Sequence, residues 1–577
     1  MKISVKRVVV TLISLTLLTP QIIARADSQI PEQWAPLVAP GPGYIGFEAN
    51  ESFFASTEAS TWFNFTTSNG EADGKITNIA ICNTGSEAGC DFTIFAKYRA
   101  VLPMCSGSSD INCISGITAT DAQGKELEVK SPSVFPKENP QAFSGNLALN
   151  VPQGSGAVLV SIPEAKHAGG DNYLVKTTLT SDRSKGQKVF PAPSLGASIS
   201  AVKIIEGDFF DLATETNTAK YDSIGRVQVG TTQTKNIDPF ASKLCLASSL
   251  TQCAIPYTMP KDITFGFSLR LSTSLSGWLH GRMRSAIIDY KQDGTTTNLS
   301  VKGTPITVPL VDVWAKSSDL SDAHVAAYLN QQWSGEARHY PPTPQNMGLP
   351  IAESEKTRSG MQSISFKHVN TNFSSTAMSN FLLWLPLAKD KASAMPTEWR
   401  IGTMSEKGEG KVGECLTKAK GLAGLVTTNS TMYIDGPPTF QSGFLDYKVA
   451  STHFEADGTT VFKGTYELIM SSSVARCIYG FTSAPVSATV SITSENGEPS
   501  TATTQVNEKN GWLTLAAYNF TFSNPTVRVS LTQAKESVAA PVKASTIKKA
   551  TLLCIKGKTI KKVVAITPKC PVGYRKK

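Results

Sequence analysis

The chain has 577 residues and a formal net charge of +9. This length exceeds what one hydrophobic core can organise, so we expect about three domains. Beyond the first 26 residues, the longest apolar run, Phe381 to Leu387, has seven residues and contains Pro386, which excludes a second segment long enough to cross a membrane as a helix.

The first 26 residues have the pattern of a secretory signal peptide. A positively charged start precedes the apolar stretch Val8–Leu18, and Ala24-Arg25-Ala26 matches a small-x-small cleavage site. The apolar stretch is too short to span a bilayer, which favours a cleaved signal over a membrane anchor. We therefore expect a secreted protein, extracellular or at the cell surface, whose mature chain begins at Asp27.

The ten cysteines all follow this signal, and an even number in an exported chain predicts disulfides. Many pairings are open, but chain entropy favours short loops because their ends meet easily. Each nine-residue loop should then stabilise the fold by roughly 2–3 kcal/mol. The predicted pairs are Cys82–Cys90, Cys105–Cys113, Cys245–Cys253, Cys554–Cys570 and, by elimination, Cys415–Cys477.

Apolar and polar residues alternate along several segments, of which Ile263–Leu271 is the clearest, and Asn-Gly or Asp-Gly pairs separate many of them. This alternation places one face of a strand in a core and the other in water. The best helical patterns are Ser318–Trp333 and Ser375–Leu385, the second ended by Pro386. We therefore predict a mainly β, multi-domain protein of sandwich-like or barrel-like architecture with few short helices.

Composition and the cysteine loops suggest where the domains divide. A segment of small residues, charges and one proline has the composition of a linker, and a small basic element follows it. The predicted divisions are residues 1–26 for the signal, 27–225 for a β-rich domain with two short cysteine loops, 226–395 for a β-rich domain with a short helix, 396–533 for a sandwich-like domain, 534–546 for the linker and 547–577 for the basic C-terminal element.

The string Gly277–Arg282 is the most catalytic-looking part of the chain, since His280 and Arg282 lie near Asp289 and could form an acid–base cluster. We favour a structural interpretation, in which two glycines allow a bend around a packed tryptophan. The sequence has no GxSxG, HExxH, GxGxxG or CxxC motif, and its histidines are scattered. We therefore predict no catalytic residue, metal ligand or cofactor site, and enzymatic activity stays an open alternative.

Two further clusters have competing interpretations. Exposed tryptophans could stack on a glycan, but burial in a core is the commoner use of this side chain. The acidic segment Glu206–Asp211 has the composition of a calcium loop without its full spacing, which favours a solvated loop. Five of the eight tryptophans fall within a short part of the chain, at Trp278, Trp314, Trp333, Trp384 and Trp399.

Positive charge is concentrated at the C-terminus. The signal carries four of the nine net charges, which leaves +5 on the mature chain; residues 543–577 contribute +11, so residues 27–542 carry −6. Apolar residues on both sides of Lys556-Gly557-Lys558 predict a hairpin, which is small enough to need Cys554–Cys570 as a staple. Its cations predict attachment to an anionic cell-wall polymer or a membrane surface, with nucleic acid less favoured. The predicted attachment residues are Lys556, Lys558, Lys561, Lys562, Lys569, Arg575, Lys576 and Lys577.

Residues 554–576 have the pattern C-x-K-G-K…K-x-V…P-K-C-P-x-G-Y-[KR]-K. This pattern resembles the C-terminal element of secreted actinobacterial cell-surface proteins, and SGWLHGRM (Ser276–Met283) and ARCIYGFTSAP (Ala475–Pro485) are similar to other stretches of such proteins. The resemblance implies an exported bacterial protein and no particular activity. The pattern is carried by Cys554, Lys556, Gly557, Lys558, Lys562, Val564, Pro568, Lys569, Cys570, Pro571, Gly573, Tyr574, Arg575 and Lys576.

These expectations favour a secreted or surface-retained, non-enzymatic protein that binds or adheres, with the basic element as its attachment and a glycan as a candidate ligand. The alternatives are a secreted, glycosidase-like hydrolase with dispersed catalytic carboxylates and a structural component of the envelope. A binding protein predicts a surface cleft lined by aromatic side chains. A hydrolase predicts two carboxylates converging in one pocket, and a structural role predicts exposed strand edges.

Overall fold

The structure is a computed structural model of the chain. The predicted signal and linker, residues 1–26 and 534–546, lie outside the residues that it describes. Those residues are 44–49, 60–67, 76–90, 95–137, 142–206, 220–221, 227–228, 246–249, 251–324, 365–369, 375–404, 410–419, 421–434, 436–482, 486–493, 499–500, 503–522, 526–533 and 549–577.

The chain divides into two compact units. Met1–Thr482 and Ser487–Leu531 form the first, which we call the body, and Ser483–Val486 and Thr532–Lys577 form the second. We call residues 549–577 of the second unit the C-terminal element. Among the described helices, none combines the length and apolarity needed to cross a membrane.

The described chain is mainly β and contains several sheets, which confirms the predicted fold class. Its first strands are β1 (Tyr44–Ala49), β2 (Thr61–Thr67), β3 (Ile76–Ile81), β4 (Phe95–Val101), β5 (Cys113–Thr120), β6 (Glu126–Leu127), β7 (Lys130–Phe135), β8 (Ala157–Ser161), β9 (Asn172–Arg183), β10 (Ser194–Glu206), β11 (Lys220–Tyr221), β12 (Val227–Gln228), β13 (Gln252–Tyr257), β14 (Thr264–Leu271), β15 (Gly277–Arg282), β16 (Arg284–Asp293), β17 (Thr296–Thr304) and β18 (Ile306–Thr307).

The remaining strands include the three of the C-terminal element. They are β19 (Val311–Lys316), β20 (Ser365–Val369), β21 (Thr397–Glu398), β22 (Arg400–Thr403), β23 (Leu422–Thr428), β24 (Met432–Tyr433), β25 (Thr439–Gln441), β26 (Phe444–Ala450), β27 (Gly464–Ser471), β28 (Val486–Thr493), β29 (Pro499–Ser500), β30 (Thr503–Lys509), β31 (Trp512–Phe520), β32 (Thr526–Gln533), β33 (Ala550–Lys556), β34 (Thr559–Ala565) and β35 (Arg575–Lys576).

Within the described residues, the helices that both begin and end there are few and short, as predicted. They are α1 (Ser375–Trp384), α2 (Gly410–Ala419) and α3 (Ser472–Tyr479), with 3-10 turns at Leu147–Leu149, Ser317–Asp319 and Leu385–Ala388. The predicted helix Ser375–Leu385 is confirmed, and Pro386 falls in the 3-10 turn that ends it. Of the predicted helix Ser318–Trp333, residues 318–319 belong to a 3-10 turn, residues 320–321 are not helical and residues 322–324 are helical. Residues 325–333 lie outside the described range.

The body is organised around a fourteen-stranded sheet whose main path is β3-β2-β4-β9-β10-β22-β15-β23-β27-β31-β30. A five-stranded sheet follows the order β16-β17-β14-β5-β6, and a six-stranded sheet follows β24-β26-β32-β28-β29, with β25 beside β26. The large sheet takes strands from all three predicted β-rich domains, for example through the pairing of β10 with β22. The boundaries at residues 225 and 395 stay predictions, and strand pairing crosses both.

Alternating residues build the core as the sequence predicts. Phe265, Phe267, Leu269 and Leu271 on β14 are each at most 1% exposed. They belong to a hydrophobic cluster whose members extend along the chain from Trp62 to Ile469. Burial of such apolar surface is the main force that holds these sheets together.

Four of the five predicted disulfides form between described residues: Cys82–Cys90, Cys105–Cys113, Cys415–Cys477 and Cys554–Cys570. Cys253 is also disulfide-bonded, and its predicted partner Cys245 lies outside the described residues. The Cys415–Cys477 bond links α2 to α3 across a sequence separation of 62 residues. It therefore joins two helices that period-two patterning did not predict.

Candidate functional site

The catalytic-looking string Gly277–Arg282 forms β15, which lies between β22 and β23 in the large sheet. Trp278 is 1% exposed, and its ring lies where any side chain at Gly424 on β23 would collide. The tryptophan is therefore packed, as the structural interpretation expects, and the whole string is a strand in which only Gly277 has a positive φ, of 90°.

Arg282 is fully buried and holds a connection between two sheets. Its guanidinium donates to the carbonyl oxygens of Thr428 at 2.9 Å, Ser430 at 2.7 Å and Thr431 at 3.3 Å. These residues carry the chain from β23 in the large sheet to β24 in the six-stranded sheet. One charged side chain thus donates to three backbone carbonyl oxygens of this connection.

The ring of Tyr433 contacts both His280 and Arg282 of β15. Its ring stacks on His280, with centroids 3.4 Å apart and planes 7° from parallel, and the Arg282 guanidinium lies 4.8 Å from its centroid. Asp289, the third member of the proposed acid–base cluster, is exposed on β16 and pairs with Lys291 at 3.3 Å. The structure places His280 in the interior and Asp289 at the surface. These residues therefore do not share a site in which they could act together as acid and base.

Glu467 is a buried carboxylate that sequence reasoning missed. It accepts hydrogen bonds from the backbone N–H groups of Ser285 at 2.7 Å and Ala286 at 3.0 Å, and from the Tyr518 hydroxyl at 2.8 Å. These bonds fix the irregularity in the pairing of β16 with β17, where Ser285 has φ of 53°. The only signal in the sequence is one acidic residue among the apolar residues of β27. The hydrogen bonds show that the role of Glu467 is to hold the backbone.

Glu48 and Asp312 are two buried carboxylates on neighbouring strands, and a hydrolase site would need such a pair to be open to substrate. They are register partners on β1 and β19, and they are 2% and 3% exposed. Ser393 fixes the backbone of Asp312, because its hydroxyl accepts from the Asp312 N–H and donates to the Asp312 carbonyl, both at 2.8 Å. Such burial closes this pair to a polymeric substrate from solvent.

The clustered tryptophans serve mainly as core. Trp278, Trp384 and Trp399 are each at most 1% exposed, and Trp314 is half-buried. Trp384 stacks on Phe47 with centroids 5.2 Å apart. Trp333 lies outside the described residues, as does the acidic segment Glu206–Asp211 beyond Glu206, which ends β10. Three of the five rings are thus closed to a glycan.

Cys82, Glu87 and Cys90 lie close enough to suggest a metal site, but the two sulfurs are bonded to each other and cannot both ligate. Glu87 instead organises this loop. Its carboxylate accepts from the Thr84 N–H at 2.9 Å, the Thr84 hydroxyl at 2.8 Å and the Gly85 N–H at 2.9 Å. Burial raises the pKa of Glu87, but these hydrogen bonds outweigh it and lower the pKa from 4.5 to about 2.

The lowered pKa of Glu87 predicts how the loop responds to acid. Because the folded pKa lies below the unfolded value, the stabilisation is complete above about pH 4.5 and is lost as the pH falls towards 2. Titration of the Glu87 carboxyl by NMR should give a midpoint near 2, and the signal should be missing in Glu87→Gln. A midpoint near 4.5 would contradict the hydrogen-bonded arrangement.

The C-terminal element is an antiparallel sheet in the order β34-β33-β35. Only Gly557 and Lys558 separate β33 from β34, and Gly557 has φ of 59°, the left-handed conformation that a two-residue hairpin loop requires. Cys554 is fully buried and bonded to Cys570, with Cα atoms 5.5 Å apart. The predicted disulfide-closed hairpin is therefore present, and a short third strand extends it.

All eight predicted attachment residues are exposed on this element. Residues 543–577 contain no aspartate or glutamate, so no side chain within that range neutralises them. The hairpin carries Lys556, Lys558, Lys561 and Lys562, and the end of the chain carries Arg575, Lys576 and Lys577. The fold therefore gathers flexible cations on a small rigid support, which suits attraction to an anionic surface.

The chain matches no protein-family model and no curated protein sequence.

Proposed function

We propose that this is a secreted, cell-surface-retained protein with a non-enzymatic binding or adhesion role, held at the surface by its C-terminal element. The observation that carries the proposal is the gathering of eight exposed cationic side chains on one disulfide-closed sheet without an acidic neighbour in residues 543–577. The arrangements around Arg282, Glu467, Glu48, Trp384 and Glu87 each hold part of the fold, whereas the cations of the C-terminal element point to an external anionic partner.

Electrostatics gives the expected strength of this attachment. Each lysine or arginine near an anionic surface contributes on the order of 1 kcal/mol at most, and salt weakens the attraction over the Debye length. Several such cations acting together suffice for reversible retention. Residues 27–542 carry −6, so they add no net attraction to an anionic surface. Retention should therefore depend on the C-terminal element and decrease with ionic strength.

Removing residues 543–577 should move the protein from the cell surface to the medium, because the net attraction lies in this segment. Fractionation of the native host, with the secreted protein quantified in cell-bound and medium fractions, measures the shift. The full chain should also be released by raised salt. A truncated protein that stays on the cell as firmly as the full chain would contradict the proposal.

A charge-only variant separates attraction from loss of the element. Changing Lys556, Lys558, Lys561 and Lys562 to Gln keeps the disulfide and should reduce the cell-bound fraction strongly. The matched control changes four exposed lysines of the body to Gln, which lowers net charge equally and should leave retention unchanged. The control lysines are Lys185, Lys188, Lys261 and Lys463.

A further inference from the structure

The C-terminal element has one face that the disulfide covers in part, which we call the covered face, and one open face. Side chains alternate along β33 and β34, and the register pairs Thr551 with Val564, Leu553 with Lys562 and Ile555 with Ile560. These six side chains, which we call the open face, lie opposite the face of Cys554. The covered face carries the disulfide to Cys570, and there Cys554 is fully buried.

The open face presents aliphatic side chains to solvent. Leu553 is 43% exposed, Ile560 49% and Val564 51%. Eleven large hydrophobic side chains are exposed in the described chain, and five of them belong to this element of 29 residues, three on the open face. Exposed apolar surface is therefore concentrated in this element. Such a concentration marks an interaction surface rather than scattered surface apolarity.

Cations border these aliphatic side chains. Lys562 lies on the open face itself between Ile560 and Val564, and Arg575 on β35 is the register partner of Ile555. Both are exposed. A hydrophilic polyanion could use the cations and would gain nothing from the aliphatic groups. The interface of an anionic bilayer accommodates both, because aliphatic groups enter the acyl boundary while lysine and arginine reach the headgroup phosphates.

From this arrangement we propose that the open face is a bilayer-interface site, which inserts Leu553, Ile560 and Val564 into an anionic lipid surface with Lys562 and Arg575 on the headgroups. The proposal rests on the proposed retention by the C-terminal element and names its partner as anionic lipid rather than wall polymer. The aliphatic groups supply attraction that salt does not screen. Part of the binding should therefore persist at an ionic strength that releases a purely electrostatic complex.

The test uses the full secreted chain and two probes. The first is vesicles of phosphatidylglycerol and phosphatidylcholine in equal parts, with pure phosphatidylcholine for comparison, and the second is soluble polyphosphate. Leu553→Thr, Ile560→Thr and Val564→Thr together should weaken binding to anionic vesicles about tenfold or more and leave polyphosphate binding unchanged. The matched control changes three exposed aliphatic residues of the body, Val189, Ile287 and Val506, to Thr and should alter neither.

Thr551→Leu is a single substitution that should increase binding, so this test does not require the fold to tolerate three substitutions at once. It extends the aliphatic surface of the open face and should strengthen vesicle binding severalfold with polyphosphate binding unchanged. Unchanged vesicle binding by the triple variant, or equal loss on both probes, would overturn the lipid site and leave electrostatic retention standing. Failure of the unaltered chain to bind either probe would overturn the proposed retention itself.

Discussion

Replacing Cys554 and Cys570 by serine should unfold the C-terminal element and release the protein from the cell surface. Cys554 is the one described side chain of this element that is fully buried, so apolar burial alone cannot hold its three strands. Closing a loop with a sequence separation of 16 residues stabilises by about 3 kcal/mol on the chain-entropy model. Without that contribution, the exposed cations would be spread along a flexible chain.

Limited proteolysis by a lysine-specific protease should show this unfolding, since cleavage at Lys556, Lys561 and Lys562 becomes fast once the strands separate. The cell-bound fraction should fall in parallel. The matched control replaces Cys105 and Cys113, which close a surface loop of the body, and should leave cleavage of the element and retention unchanged. An element that stays resistant without its disulfide would show that the strands fold on pairing alone.

The C-terminal element could be predicted from sequence because its determinants are local. Lys556-Gly557-Lys558 identifies the hairpin loop, and Cys554 and Cys570 are close along the chain, so the structure follows from short-range geometry. The open face could not be predicted from alternation alone. Alternation shows that two faces exist, but which of them is covered depends on where the disulfide and residues 566–574 fold.

The role of Arg282 could not be predicted, because its acceptors lie more than 140 residues away in the chain. The sequence shows a histidine and an arginine two positions apart, and the same spacing would suit a catalytic site. Whether such a pair is catalytic or structural depends on the strands that pack around it, which the sequence does not show. The helix α3 was missed for a related reason: its eight residues are short for a helical pattern, and its position depends on the bond from Cys477 to the distant Cys415.

Changing Arg282 to methionine should destabilise the body by about 3–5 kcal/mol, which is the usual effect of removing one member of a buried charged hydrogen-bond network. Methionine retains much of the side-chain length but leaves the carbonyl oxygens of Thr428, Ser430 and Thr431 without this donor. The free energy of unfolding can be measured by denaturant titration with tryptophan fluorescence. This signal reports on the body, because residues 549–577 contain no tryptophan.

Two further variants make this test specific to the planar guanidinium group of Arg282. Arg282→Lys keeps the charge but cannot reach three separate carbonyl oxygens with a planar group, so its loss of stability should be intermediate. Arg284→Met removes an exposed arginine two residues along the chain and should change stability by no more than about 0.5 kcal/mol. If Arg282→Met and Arg284→Met unfold at the same denaturant concentration, the connection between β23 and β24 is held by packing, and the guanidinium is dispensable for linking the two sheets.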